Sequence, residues 1–167
     1  TGIDFNGYKN QIGVFNEPEF VLIDTSFHQT LPERELRSGF AEMLKHGLIA
    51  DAQHWKDLVD TDFKLISNQL LENSVSIKQK VVEKDPNEKG LRKILNFGHT
   101  IGHALESLGK YKKFIHGEAV GIGMVYEADL AHSLGLCSAK VVARQRALVC
   151  RTGLPAKLPK MNFSDEL

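Results

Sequence analysis

The sequence predicts a mainly α-helical domain with a short β/loop segment at its start. Three observations carry this reading. Strand-like runs, rich in β-branched and aromatic residues, are confined to the first 30 residues. From Pro32 onward apolar residues recur at helical spacing. The breaks between the helical runs, at "DPNEKG", Gly109 and Gly153, are helix-stop chemistry.

The runs "QIGVF" (11–15) and "FVLID" (20–24) read as strands separated by the turn residues "NEPE", the second ending at Asp24. In "LPERELRSGFAEMLKHGLIAD" proline and acidic residues occupy the first turn of a helix, and Leu36, Phe40, Met43 and Leu44 form its apolar stripe. That helix also carries Glu42, Lys45 and His46. Further helices are expected at 54–60 and about 62–84, the latter with Ile66, Leu70, Ile77 and Val81 near helical spacing. A helix from about Arg92 to Leu108 follows, then the basic loop "KYKKF" and a helix opening with "HGEAVGIGM". Its glycines at 117, 121 and 123 each cost about 1 kcal/mol relative to alanine, which points to close approach of a backbone or ligand. Ser138 caps a last helix running to about Thr152.

Lysine plus arginine equals aspartate plus glutamate at 21 each, so no net field attracts nucleic acid or an anionic membrane. Cys137 and Cys150 have no zinc-ribbon spacing and suit a reducing, cytoplasmic setting. No apolar run reaches the roughly 18–20 residues that span a bilayer. The chain opens at Thr1 and stops in "MNFSDEL", so it reads as a piece of something longer.

The stretch "ILNFGHTIGHALE" places His99, His103 and Glu106 on one helical stripe, with His116 just downstream. A metalloprotease helix would place glutamate directly after the first histidine, and Thr100 stands there instead. A zinc site needs about three protein ligands and an open position. His99 and His116 from neighbouring helices, with a carboxylate such as Glu42, would supply them. The same residues also admit plainer readings. A histidine pair four apart serves equally as a surface or hydrogen-bonded pair, and Glu42 as a solvated partner of Lys45. Lys78 and Arg92 read as exposed helix charges, and Lys112 and Lys113 as loop solubility charges. His28, His46, His54 and His132 show no partner pattern.

Taken in order, "GYKNQIGVF", "LPERELRSGFAEMLKHGLI", "KDPNEKGLRKILNFGHTIGHALE" and "HGEAVGIGMVYEADLA" resemble the 3-dehydroquinate synthase family of sugar-phosphate cyclases, from about Gly2 to Pro155. The resemblance implies a helical metal- and substrate-binding domain at 32–167, truncated at its C-terminus. Residues 1–31 would connect it to a Rossmann-like NAD-binding half outside this chain; no G-x-G-x-x-G occurs here. It further implies Glu42, His99 and His116 as ligands of Zn2+ or Co2+, and His103 as a proton-handling group. Lys45, Lys78, Arg92 and Asn96 would contact the substrate. Lys9, Asn10 and the stretch Phe27, His28, Gln29 and Thr30 would lie at the NAD side.

The implied activity is a lyase of the shikimate pathway of aromatic amino acid and chorismate biosynthesis. It converts 3-deoxy-D-arabino-heptulosonate 7-phosphate to 3-dehydroquinate by transient oxidation, phosphate elimination, re-reduction and aldol closure. A homodimer is implied for the full-length protein, and little or no turnover for this fragment alone. Two other readings stay open: a sister cyclase such as 2-deoxy-scyllo-inosose synthase, and a catalytically silent helical domain whose role is oligomer contact.

Overall fold

Asn6 is followed by Gly7, the dipeptide that most strongly favours a two-residue hairpin turn. In the computed structural model, which describes residues 2–6, 8–14 and 18–158, Asn6 has φ 53°, a left-handed conformation that asparagine tolerates. It ends β1 (Gly2–Phe5), which pairs antiparallel with β2 (Tyr8–Gly13), Phe5 opposite Tyr8 and Gly2 opposite Gly13. The strand expected at 11–15 therefore begins earlier, at Tyr8, and Phe15 lies outside the described residues.

The strand expected at "FVLID" does not form. Residues 20–24 are irregular, with Phe20, Val21 and Leu22 exposed. A strand needs a neighbour to complete its ladder, and among the described residues β1 and β2 pair only with each other. A 3-10 turn, Thr25–Thr30, follows. The chain divides into two compact units, Thr1–Thr30 and Leu31–Leu167.

In the second unit Pro32 precedes α1 (Glu33–Ala50), and Glu33 and Glu35 complement the helix dipole in its first turn. Asp51 ends α1 and caps α2 (Ala52–Val59), its carboxylate accepting from the Gln53 and His54 N–H groups. The third helix starts later than expected. Residues 61–67 form turns and irregular backbone, and the Ser67 hydroxyl then accepts from Leu70 N–H to open α3 (Asn68–Lys84). In "DPNEKG" the Asp85 carboxylate accepts from the N–H groups of Lys89, Gly90 and Arg92, closing the loop on itself.

The helix expected from Arg92 is broken in two. Leu91–Asn96 is a 3-10 turn, and Gly98, at φ +80°, separates it from α4 (His99–Leu108). Only glycine takes this conformation without strain. A Cβ here would also stand 2.6 Å from the Met124 side chain and 2.8 Å from Val120 O. Two further helices complete the unit, α5 (His116–Ser133) and α6 (Ala139–Arg151).

The fifth helix is apolar nearly all round, with Ala119, Val120, Ile122, Met124 and Val125 buried, as befits the central element of a bundle. Phe40 and Leu44 of α1, Leu58 of α2, Val125 of α5, and Leu148 and Val149 of α6 form the main core. Leu105, Ala119 and Ile122 form a smaller one beside it. Among the described residues no helix is long and apolar enough to cross a membrane.

One polar pair lies inside this packing. His46 Nδ1 and Ser74 Oγ are 2.7 Å apart, both buried, and tie α1 to α3. Burial, aided by Lys45, pulls the His46 imidazole down to about 4. The unfolded chain therefore takes up this proton before the folded one does, and stability falls as pH drops from about 6.5 towards 4. Urea unfolding at pH 7 and pH 5 should show that His46→Gln removes roughly 2 kcal/mol of the wild-type acid loss. An equal loss in both proteins would contradict this origin.

Candidate metal centre

The site is built where α1, α4 and α5 meet. At the first contact Gly117 lies on Ser38: a Cβ on Gly117 would fall 2.2 Å from Ser38 O, and Gly117 N–H donates to Ser38 Oγ at 2.9 Å. Glu42 is one turn beyond Ser38, and His116 directly precedes Gly117, so this contact sets one against the other. Arg34 reinforces it. Its Nε donates to Glu118 Oε1 at 2.7 Å and its Nη2 to Oε2 at 2.6 Å, a bidentate fork on the first turn of α5.

Glu42 Oε1 lies 3.5 Å from His99 Nε2 and 3.5 Å from His116 Nε2. The other oxygen, Oε2, accepts from Lys45 Nζ at 2.6 Å. Oε1 is buried and has no hydrogen-bond partner, although two ring nitrogens face it. Ligand atoms at tetrahedral zinc distances stand about 3.3 Å apart, so the three groups fit around a single divalent ion. His99 Nδ1 is 3.2 Å from Phe97 O, which leaves Nε2 for the common centre. The His99 and His116 ring centroids are 5.0 Å apart.

Charges follow from these contacts. Burial pushes the Glu42 carboxyl up, but His116 and Lys45 outweigh it and hold it well below the usual carboxylate range. Burial pulls the Lys45 ammonium down against the opposing pull of Glu42. Burial, with Lys45 adding to it, also pulls His99 down, towards the neutral form that ligates metals. Glu42 raises His116 against the effect of burial, and Glu106 adds to the rise. The two carboxylates thus favour positive charge on the His116 ring.

His103 lies one turn along α4, its side chain 56% exposed and its ring 5.3 Å from that of His99. Lys45 is buried beside Glu42, in the i,i+3 pairing its spacing admits. Lys78 is exposed on α3, one turn past Ser74, and its charge is felt at Lys45 and His46. Arg92 Nη1 donates to Pro86 O at 2.8 Å, and Asn96 Nδ2 to Glu88 Oε1 at 2.7 Å. Lys9 and Asn10 lie in β2, their side chains outside the described residues. Phe27, His28, Gln29 and Thr30 belong to the 3-10 turn of the first unit.

Sequence reasoning did not foresee the parts played by Ser38, Arg34 and Glu118. The acidic N3 residue of α5 was the available signal.

The family profile described as 3-dehydroquinate synthase C-terminal matches residues 39–167, and the N-terminal profile of the same enzyme matches residues 1–38. The chain belongs to the 3-dehydroquinate synthase family. It is 47% identical to the 3-dehydroquinate synthase of Thermosynechococcus vestitus, over 95% of this chain and 45% of that protein. It is 42% identical to that of Prochlorococcus marinus strain SARG, over 100% of this chain and 48% of that protein. The chain thus spans about half the length of the curated relatives it matches.

Among solved structures, it resembles a 2-deoxy-scyllo-inosose synthase complexed with carbaglucose-6-phosphate, NAD+ and Co2+, with TM-score 0.81 and 30% identity. That match covers 96% of this chain and 46% of the other. It also resembles the 2-epi-5-epi-valiolone synthase of Streptomyces hygroscopicus with NAD+ and Zn2+ bound, with TM-score 0.79 and 29% identity over 95% of this chain and 46% of the other. In this chain, the seat of Gly117 on Ser38 is the contact that brings Glu42 to His116.

Gly117→Ala should force α5 away from α1 and cost about 1–3 kcal/mol of stability, read by thermal unfolding. A neutral outcome would show that α1 and α5 do not need this contact to hold their register.

Proposed function

We propose that this chain is the metal- and substrate-binding part of a 3-dehydroquinate synthase, a cyclase that eliminates phosphate from 3-deoxy-D-arabino-heptulosonate 7-phosphate in the shikimate pathway. The observation that carries the reading is the convergence of Glu42, His99 and His116 on one point, in a chain of this family. Residues 1–31 would join the helical domain, 32–167, to an NAD-binding half. The assembled protein would be a cytoplasmic homodimer.

Zn2+ or Co2+ in this site would polarise the substrate's hydroxyl and carbonyl oxygens, and NAD would take and return a hydride. The protein's residues divide the remaining work. Glu42, His99 and His116 would hold the ion, while Lys45 occupies Glu42 Oε2 and leaves Oε1 for it. His103, the most exposed of the three histidines, would move the proton of a substrate hydroxyl. Lys78, Arg92 and Asn96 would bind the anionic ends of the substrate. A guanidinium offers five N–H donors, and Pro86 O engages one nitrogen of Arg92. Lys9, Asn10 and residues 27–30 would serve the NAD side.

The likeness to a 2-deoxy-scyllo-inosose synthase supports a second reading, a sister cyclase that takes a different sugar phosphate, one without a carboxylate. Substrate profiling of the full-length protein separates the two: the acidic heptulosonate phosphate should turn over and glucose 6-phosphate should not, with the reverse favouring the sister enzyme. The isolated 167-residue chain should show little or no turnover, and near full-length activity would overturn its assignment as a part.

Metal analysis tests the site itself. The full-length protein should carry about one divalent ion per chain. His99→Ala and His116→Ala should each deplete it. Unchanged metal content in both variants would sink the ligand assignment and favour a silent helical domain.

A further inference from the structure

Glu106 shares the stripe of His99 and His103 on α4 but has no part in the ligand set argued above. It is only 4% exposed, an unusual place for a carboxylate without a task. Its Oε1 lies 3.3 Å from His116 Nδ1, across the interface between α4 and α5. Its Oε2 lies 4.0 Å from His103 Nε2. The opposite nitrogen of His116, Nε2, faces Glu42 at 3.5 Å. One buried carboxylate therefore backs the ring whose far side enters the candidate metal centre.

We propose that Glu106 is a positioning residue that accepts the Nδ1–H of His116, fixes the tautomer presenting Nε2 to the metal, and strengthens that nitrogen as a ligand. This rests on the reading of Glu42, His99 and His116 as the metal site. The physical reason is general: a metal-bound imidazole gains basicity and orientation when a carboxylate takes its second N–H. The geometry also favours a backing role over ligation by Glu106. His116 already directs Nε2 at Glu42 and His99, so its Nδ1 is the nitrogen left for Glu106. Glu106 connects two histidines with different proposed tasks, the ligand His116 and the proton carrier His103.

The test uses the full-length protein and zinc ions. Zinc dissociation constants from chelator competition are compared for wild type, Glu106→Gln, His99→Ala and His116→Ala. Glu106→Gln should weaken zinc by about 10- to 100-fold. Unchanged affinity in Glu106→Gln, with both histidine variants depleted of zinc, overturns this proposal alone. Unchanged zinc in the histidine variants overturns the underlying site as well. A zinc stoichiometry of two that falls to one in Glu106→Gln overturns the proposal by making Glu106 a ligand. Should the variant fail to fold, proton NMR of the zinc-loaded wild type decides. A downfield, slowly exchanging Nδ1–H resonance of His116 supports the hydrogen bond, and a rapidly exchanging one overturns it.

Discussion

The arrangement depends on how closely α5 approaches α1. A helix normally keeps its neighbour some 8–10 Å away through its side chains. At Gly117 there is no side chain, and the Ser38 backbone occupies the space a Cβ would take. The approach fixes register as well as distance, because the Ser38 hydroxyl accepts the Gly117 N–H. Glu42 and His116 are each placed by their sequence offset from this pair. The Arg34 fork on Glu118 then holds the same end of α5 from outside. A second glycine contact, Gly123 against Gly98 O, does for α4 what Gly117 does for α1. The three helices that carry the histidines and Glu42 are thus brought together through glycine rather than through large side chains.

That geometry gathers charge at some cost. Glu42 and Glu106 both come close to His116 within a partly dehydrated space, and Lys45 is almost fully buried beside them. Lys45 opposes this negative charge, and the two carboxylates favour a proton on the His116 ring. Divalent metal binding would replace that proton, so affinity and pH are linked through the same ring. The orphaned Glu42 Oε1 fits this account: a buried acceptor without a donor is destabilising unless something electrophilic reaches it.

Much of the helical framework was legible in the sequence, because its signals are local. The stripe Leu36, Phe40, Met43 and Leu44 marked α1, and Phe40, Met43 and Leu44 are buried as the period requires. The glycines of "HGEAVGIG" announced close approach, and Gly117 and Gly123 show against what. Gly98 was less legible: a glycine in an apolar run reads as a weakened helix, and only its neighbours Val120 and Met124 make it a break. "FVLID" has strand composition, but strand formation depends on a partner that composition does not reveal. The hairpin at Asn6 is the opposite case, since its Asn-Gly turn signal is local and lies in the sequence itself.

The break at Gly98 also bears on why two histidines on one stripe can differ in task. Because α4 begins at His99, that residue sits at the helix N-terminus, held by its Nδ1 contact to Phe97 O and half-buried against α1. His103, one turn on, points away from that cover, and its side chain is 56% exposed. A continuous helix from Arg92 would leave His99 in mid-helix, with its Phe97 contact and its cover no longer set by a helix start. The left-handed glycine thus separates a ring that is held from a ring that can reach solvent or substrate. Glu106, within reach of His103 and of His116 but not among the ligands of the proposed centre, lies where a proton held on one side could influence the other.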